Sequence, residues 1–391
     1  MKVLHVLYQS LPNSSGSSIR SRDIINNQLK IGLTPVVITS PFQHPFKSGE
    51  KQEYVDGIMY YRTFINKNEI VSETITGFWV QIRKFLRIFK FTIEVYKIAK
   101  KENVDIIHAH AMFFCSFSAK IASLLLNKPM LYEIRSLWEE RFKKNSFKNY
   151  LIFSFITFIE TFSMFLANHL ITINTNLKTE LKKRFFLKNK KIIIVENAVD
   201  LSNVKDLSLK KDEIVFGYVG TLSPIEGLDL LIKAFNNLKL NNKLLIFGDG
   251  IDFEKLKNLV NKNINIEFRG QILSEEIFNA YKEIDVIINP RKSSYLTNSV
   301  TPLKTLEAMA YKKLVLASDV GGMKELIEHE NNGLLFTSNS VQAIENIILE
   351  VIDRNDLDRI MENAYEFIKE DRNWLKNAKI YKSIYEVLIN D

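Results

Sequence analysis

Cysteine is all but missing: among 391 residues there is one, Cys115. A disulfide framework and any cysteine-based zinc cluster are thereby excluded, and a reducing cytoplasm fits best. Cys115 falls in the apolar, helix-like run 111–126, where a small buried thiol is expected. An uninterrupted apolar run fit for a membrane span is lacking as well. The greasiest stretch, 150–170, is broken by Ser154, Thr157, Glu160, Thr161, Ser163 and Asn168, which predicts a packed helix. The opening MKVLHVLYQ is too short for a signal peptide and lacks a small-residue cleavage site, so it reads as a buried first strand. Zinc-finger spacing and an RNP-like strand are absent, which argues against nucleic acid as a partner.

With 46% apolar residues, the chain can bury two sizeable cores. Short apolar runs alternate with amphipathic stretches: KVLHVLY, PVVIT, VDIIHAH, PMLYEIR and HLITIN, then EIVFGYVG, KLLIFGDG, INIEFRG, DVIINP and KLVLAS. Continuous apolar strands between helical periods predict parallel sheets covered on both faces. The fold class is therefore α/β, as two Rossmann-like doubly wound domains facing across a cleft. The polar stretch from Asn197 to Asp212 marks the boundary. It gives a first domain of residues 1–190 and a second of 200–372. Apolar residues at helical spacing around Trp374, Ile380, Tyr381, Ile384, Tyr385, Val387 and Leu388 predict a last helix, 373–391, that returns to the first domain.

Charge is unevenly placed. Residues 1–180 hold 23 Lys and Arg against 14 Asp and Glu, so the basic excess of the chain (+8 overall) belongs to the first domain. Runs such as RKFLRIFK (83–90) and RFKK (141–144) interleave cations with aromatics, a pattern that suits an anionic membrane or a phosphate-bearing acceptor; a solvated basic face is the alternative.

Three consecutive strands of the second half end in turns that hold glycine: Gly220 with Gly227, Gly248 with Gly250, and Gly270 after Arg269. Such turns can aim backbone N–H groups and a helix N-terminus at a phosphate. In series they outline the ligand edge of an open α/β sheet. The segment 289–322 follows, with a helix predicted from about Pro302 that carries Lys304 and Glu307 three residues apart on one face. The two could simply pair. A cation beside a helix N-terminus also suits a diphosphate, and a carboxylate one turn deeper suits the two hydroxyls of a ribose.

ENAVD, VGTLSPIEGLDLLIKAF, IFGDG, FRGQILSEEIFNAYKEIDVIINP and TPLKTLEAMAYKKLVLASDVGGMKELIEHENNGLLF stand in the order used by the family 4 retaining glycosyltransferases, which the second domain resembles throughout. The first domain resembles them more loosely, through LPNSSGSSIRSR, VDIIHAH and PMLYEIRSLWEE, and is similar to a subgroup working on exopolysaccharides and lipid-linked glycans. The resemblance implies the GT-B fold, with a donor-binding second domain and an acceptor-binding first domain. Glu307 would hold the donor ribose, with Lys304 meeting the diphosphate and the turns Phe247 to Gly250 and Arg269 to Ile272 bordering the base. Gly220, Thr221 and Ser299 would complete the donor set, and Gly16 would face the diphosphate from the first domain. His110, Glu133 and Arg135 lie at strand ends where the family places catalytic or acceptor-contacting groups. His108 and His110 could equally be structural histidines, and Glu133 and Arg135 could simply pair. Ser17, Arg20, Arg22 and Trp138 are the acceptor candidates, with a solvated helix start the alternative for the two arginines.

The family pattern fails at three places. Thr221 and Glu226 stand where an Arg and a Lys are usual, and Ser299 where a glutamate is usual. The charge of the departing diphosphate then falls to Arg291 and Lys304, with Lys292 as the other local cation. No metal is expected, because cations and helix N-termini replace the divalent ion and no Asp-x-Asp motif that would bind one is recognised. The activity implied is front-side transfer, with retention, of a sugar from a nucleoside diphosphate, taken as UDP, to a glycan or lipid-linked glycan. No cofactor is expected beyond this donor substrate. The Lys- and Asn-rich composition and the resemblance imply a bacterial surface polysaccharide and a cytoplasmic protein, peripheral at the inner face of the membrane. Two rivals are an inactive nucleotide-sugar-binding subunit of a glycan-assembly complex and a GT-B-shaped epimerase.

Overall fold

The computed structural model describes residues 1–11, 15–43, 50–63, 78–141, 146–204, 213–260, 263–272 and 276–390. Most of the basic run 141–144, part of the serine-rich loop before Gly16 and part of the boundary segment lie outside them. The chain divides into two compact units, one of Met1–Glu196 with Trp374–Asp391 and one of Asn197–Asn373.

Unit 1 is built on eight strands: β1 (Lys2–Leu7), β2 (Thr34–Thr39), β3 (Gln52–Val55), β4 (Ile58–Arg62), β5 (Ile106–His110), β6 (Met130–Ile134), β7 (His169–Thr172) and β8 (Ile192–Ile194). They lie in the order β3-β4-β2-β1-β5-β6-β7-β8, parallel except for the β3–β4 hairpin at one edge. β1, β5 and β6 are almost wholly buried, as their unbroken apolar runs require. Crossovers are made by α1 (Gly16–Lys30), α2 (Phe78–Lys101), α3 (Phe113–Leu126), α4 (Phe147–Leu166) and α5 (Thr175–Lys182). Ser15 caps α1 and Ser146 caps α4, each side chain accepting a backbone N–H of the first turn. The C-terminal helix, Trp374–Asn390, packs on α1 and buries Trp374, Tyr381 and Tyr385. α2, α3 and α4 lie side by side, with a 3-10 turn at Phe185–Leu187 beside α4. Cys115 is buried in α3.

One expectation holds on one side of the helix only. The stretch 150–170 was to be a packed helix, yet α4 is long and apolar enough to cross a membrane while only 22% of its apolar window is buried. Its polar residues explain this inversion: Glu160, Thr161 and Ser163 turn inward, while Phe155, Phe158 and Phe162 turn outward.

Unit 2 holds a six-stranded, wholly parallel sheet of β9 (Phe216–Val219), β10 (Leu244–Phe247), β11 (Ile266–Gly270), β12 (Val286–Asn289), β13 (Leu314–Ser318) and β14 (Leu334–Phe336). The order is β11-β10-β9-β12-β13-β14. Helices α6 (Leu228–Leu238), α7 (Phe253–Leu259), α8 (Ile277–Glu283), α9 (Tyr295–Ser299), α10 (Leu303–Ala310), α11 (Gly321–Lys324), α12 (Val341–Asp353) and α13 (Leu357–Asp371) complete the unit. Strand alternation sends Phe216 and Tyr218 into one core, and Val219 and Ile287 into the core on the other face. Strand order reverses between β9 and β12, and such a switch point leaves a crevice at the strands' carboxyl ends.

Candidate functional site

The turns after β9, β10 and β11 are stitched together by their backbones. Gly220 N–H donates to Phe247 O (2.9 Å), Leu222 N–H to Asp249 O (2.9 Å) and Gly248 N–H to Gly270 O (2.7 Å). Glycine is needed: Gly248 has φ +142°, and a Cβ there would stand 1.8 Å from Gly220 O. At Gly250 a Cβ would stand 2.2 Å from Leu222 O. Thr221 is exposed, and its carbonyl accepts from Tyr218 Oη (2.9 Å). Arg269 is exposed and paired with Glu267 (3.1 Å) and Glu283 (3.2 Å), while Ile272 packs half-buried on the core.

At the switch point these turns meet three charges. Gly227, at φ +72°, lets the 3-10 turn Pro224–Glu226 press on the end of β12; a Cβ there would stand 2.0 Å from Pro290 O. Lys292 N–H donates to Ile225 O (2.9 Å), which fixes that approach. Glu226 is thereby pushed inward against two cations. It pairs with Lys304 Nζ and lies 3.5 Å from Arg291 Nη2. Lys304, in the first turn of α10, donates to Tyr218 Oη (2.8 Å) and stands 4.4 Å from the centre of that ring. Burial lowers the Lys304 ammonium to about 8 against the pull of Glu226. Burial pushes the Glu226 carboxyl up, but Lys304 and Arg291 outweigh it and hold the group below the usual carboxylate range. Arg291 Nε is buried and has no partner among the described residues, and Arg291 Nη1 makes a long contact to Val300 O (3.4 Å). Lys292 is occupied with Asp229 (2.8 Å).

Glu307 follows Lys304 by one turn of α10 and is half-buried. The ion partner of Lys304 is Glu226, which sequence reasoning had noted only as a missing cation. The inverted charge at that position was the available signal. Tyr218, a strand residue, gave none. Ser299 is buried in α9 and donates to Tyr295 O (2.7 Å). Asp356-Leu357-Asp358 is a literal Asp-x-Asp triplet, contrary to the expectation that none would be found. Its Asp356 is engaged by Arg354 (2.6 Å) and Arg359 (2.7 Å) at the start of α13.

The unit 1 candidates form a different kind of cluster. His110 on β5, Glu133 on β6, Arg135 just beyond the end of β6 and Arg20 on α1 are all buried. Glu133 Oε1 accepts from Arg20 Nε (3.0 Å) and Arg135 Nε (2.7 Å), and Glu133 Oε2 accepts from Tyr381 Oη. Arg20 also donates to Val195 O (2.7 Å) and Glu196 O (3.0 Å), and its guanidinium lies 5.0 Å from the Trp374 ring centre. Arg135 Nη1 donates to Ser17 O (2.6 Å) and Ser21 Oγ (2.8 Å).

A guanidinium can only donate, so the Arg135 Nη2 contact to His110 Nδ1 (2.7 Å) fixes the tautomers in turn. His110 Nε2–H donates to His5 Nδ1 (2.9 Å), and His5 Nε2–H to Gln28 Oε1 (3.0 Å). Gln28 Nε2 donates to Tyr385 Oη (2.8 Å), which donates to His108 Nδ1 (2.7 Å). His108 Nε2 then faces Glu133 Oε2 at 3.8 Å. Burial is the largest cause that lowers all three imidazoles, His110 to about 4, so they are neutral. Ligand atoms of His5, His108 and His110 lie within 4.8 Å of one another, close enough to share an ion. Each ring's one lone pair is taken, however, by Arg135, by His110 or by Tyr385. The paired reading of Glu133 and Arg135, and the structural reading of both β5 histidines, describe this geometry. Arg20, expected to meet an acceptor, has its guanidinium turned into the protein instead. Gly16 and Ser17 are exposed at the start of α1, Arg22 pairs with Asp23 (2.7 Å), and Trp138 packs on Phe113 at 5.6 Å between ring centres.

The model of Glycosyltransferase Family 4 matches residues 15–203, and that of Glycosyl transferases group 1 matches residues 201–367. An uncharacterized glycosyltransferase of Methanocaldococcus jannaschii is 30% identical over 317 residues, covering 78% of this chain and 83% of the relative. The UDP-Gal:alpha-D-GlcNAc-diphosphoundecaprenol alpha-1,3-galactosyltransferase of Escherichia coli is 26% identical over 323 residues, covering 77% and 80%. The structure of sucrose-phosphate synthase from Thermosynechococcus elongatus superimposes with a TM-score of 0.78 at 18% identity over the whole of both chains, so the fold is GT-B. With matches that run through both units and a relative at this identity over most of its length, the chain belongs to the family 4 glycosyltransferases.

Proposed function

We propose that the protein is a retaining, metal-independent transferase that moves a sugar from a UDP-linked donor to a lipid-linked glycan in bacterial surface polysaccharide synthesis. Unit 2 takes the donor and unit 1 the acceptor. The observation that carries the donor site is the meeting of Lys304 and Arg291 with the glycine turns at the β9/β12 switch point. A diphosphate set there finds two cations, an Arg291 Nε without a partner among the described residues and the start of α10, which together supply the positive charge a divalent ion would otherwise bring. Glu307, one turn deeper, accepts from the ribose hydroxyls. The turns at Gly248–Gly250 and Arg269–Ile272 border the base. Glu226 pairs with the two cations that the diphosphate would meet, so the donor would displace it. The choice of a UDP-linked donor and a lipid-linked acceptor is supported by the donor and acceptor named for the Escherichia coli relative. In unit 1 the buried Glu133–Arg20–Arg135 cluster acts as a positioning element that holds the exposed start of α1, with Ser17, in place.

The test is a donor screen. Purified protein is incubated with UDP-, GDP-, ADP- and dTDP-sugars, and released nucleotide and isomerised sugar are read by chromatography. Slow release from one donor is expected, and Glu307→Ala should lower it about a hundredfold, the order expected when hydrogen bonds to a charged group are lost from a buried site. Nucleotide release that is indifferent to Glu307, or no nucleotide binding at all by calorimetry, would refute the donor site. An isomerised sugar nucleotide would establish the epimerase instead.

A further inference from the structure

We infer that the outward face of α2, α3 and α4 in unit 1 is a docking surface for an anionic phospholipid bilayer. Phe85 and Phe89 on α2, Leu124 and Leu125 on α3, and Phe155 and Phe158 on α4 are each more than half exposed. Soluble proteins scatter such residues singly, whereas a contiguous apolar patch marks an interaction site. From α3 through α4 to the 3-10 turn the contact is direct, and α2 packs along α3. Phe117 of α3 meets Phe162 of α4 (6.3 Å between ring centres), Phe162 stacks on Phe158, and Phe165 meets Phe186 of the neighbouring 3-10 turn (5.9 Å).

The charge on this layer identifies the occupant. Arg83, Lys84, Arg87 and Lys90 alternate with the exposed aromatics of α2, Lys120 lies on α3, and Lys148 opens α4. The three helices carry two carboxylates: Glu94, which pairs with Lys97 (3.1 Å), and Glu160, which is buried. A second copy of the same face would bring these cations together and is disfavoured. Lipid phosphates neutralise them while acyl chains take the aromatics, the arrangement by which basic amphipathic surfaces lie in a membrane interface. α4 does not leave the fold to span, because its Glu160, Ser163 and Met164 side is buried and the helix packs on α3. It lies in the interface plane with its Phe155–Phe158–Phe162 side toward lipid.

This deepens the proposed function by giving the place where a lipid-linked acceptor is met, and it rests on that reading only for its use. The test involves no sugar chemistry, so either can fail alone. The full chain is cosedimented with vesicles of phosphatidylglycerol mixed with phosphatidylcholine and with phosphatidylcholine alone, at rising salt. Expected is salt-sensitive binding to the anionic vesicles, lowered about tenfold or more by Phe155→Ser with Phe158→Ser. Arg83→Gln with Lys84→Gln, Arg87→Gln and Lys90→Gln should bring the anionic vesicles down to the phosphatidylcholine level. Thermal melting of each variant should match the parent, because the replaced side chains of α4 are exposed and those of α2 sit at exposed or half-exposed positions. Failure of the parent to bind, or equal binding by both variants, would overturn the inference. So would dimerisation in solution that the serine variant abolishes, with no vesicle binding, since it would assign the face to a second copy.

Discussion

Lys304→Ala should lower kcat/KM for sugar transfer about a thousandfold, while Glu226→Gln should tighten binding of UDP about tenfold. The first effect follows from the proposed donor site, in which the largely buried Lys304 ammonium at the switch point would oppose the charge that develops on the leaving diphosphate. The second follows from like charge. Glu226 sits between Lys304 and Arg291, so at the proposed site a donor phosphate would compete with a carboxylate already in place. Glutamine keeps the shape and removes the competitor. Titration calorimetry with UDP reads the binding, and thermal melting separates loss of function from loss of fold. In Lys304→Ala the Glu226 carboxylate keeps Arg291, so gross unfolding is not expected. Weaker UDP binding by Glu226→Gln would show instead that the carboxylate holds Lys304 in position. The same geometry fixes a pH response. Burial lowers Lys304 to about 8, so at the proposed donor site kcat/KM should decline as pH rises through that value, because a deprotonated amine would no longer pair with the diphosphate.

Much of the fold was legible because parallel strands buried on both faces read as unbroken apolar runs. Ten runs of this kind became ten of the fourteen strands among the described residues. The other four escaped for physical reasons. β3 and β4 form an edge hairpin, and β3 alternates exposed with half-buried residues as an edge strand does, while β8 and β14 are three residues long and carry too little signal. The glycine turns were legible because their spacing is dictated by backbone contact. Glu226 was not, because its meaning lies in Gly227 and Pro290, which drive its turn inward, and such a contact has no sequence period. α4 failed in the opposite sense. Its polar residues argued against a membrane, and Glu160, Thr161 and Ser163 do sit inside, but they leave its aromatic side outside. A helix's composition is shared between two faces, and only packing tells which of them meets solvent.

The histidine cluster of unit 1 carries the other large consequence: between about pH 7 and pH 5 the unit should lose about 5 kcal/mol of stability. His5, His108 and His110 are buried and neutral, and each has the one lone pair of its ring engaged as an acceptor. Their folded-state values lie below the ordinary 6.5, with His110 at about 4 and the other two well below their usual value. As pH falls below the ordinary value, the unfolded chain takes up protons that the folded chain refuses, so stability rises with pH across this window and is lost on acidification. Three imidazoles titrating together make the loss steep. Glu133 adds a second loss at lower pH: burial pushes its carboxyl up, but Arg20 and Arg135 outweigh this and hold it well below the usual range. Scanning calorimetry across the pH series reads the effect as a falling Tm, and a flat Tm from neutrality to pH 5 would refute the tautomer chain. Glu133→Ala should reproduce the damage at neutral pH, at about 3 to 5 kcal/mol, because two guanidinium groups would be left buried without their carboxylate. Glu133→Gln should be milder, since an amide oxygen in the place of Oε1 still accepts both Nε–H bonds, while the charge and the Tyr381 bond to Oε2 are lost. That order follows from a carboxylate acting on the arginines that fix α1 and the C-terminal helix; a Glu133 that acted on substrate alone would lose activity in both variants with Tm unchanged.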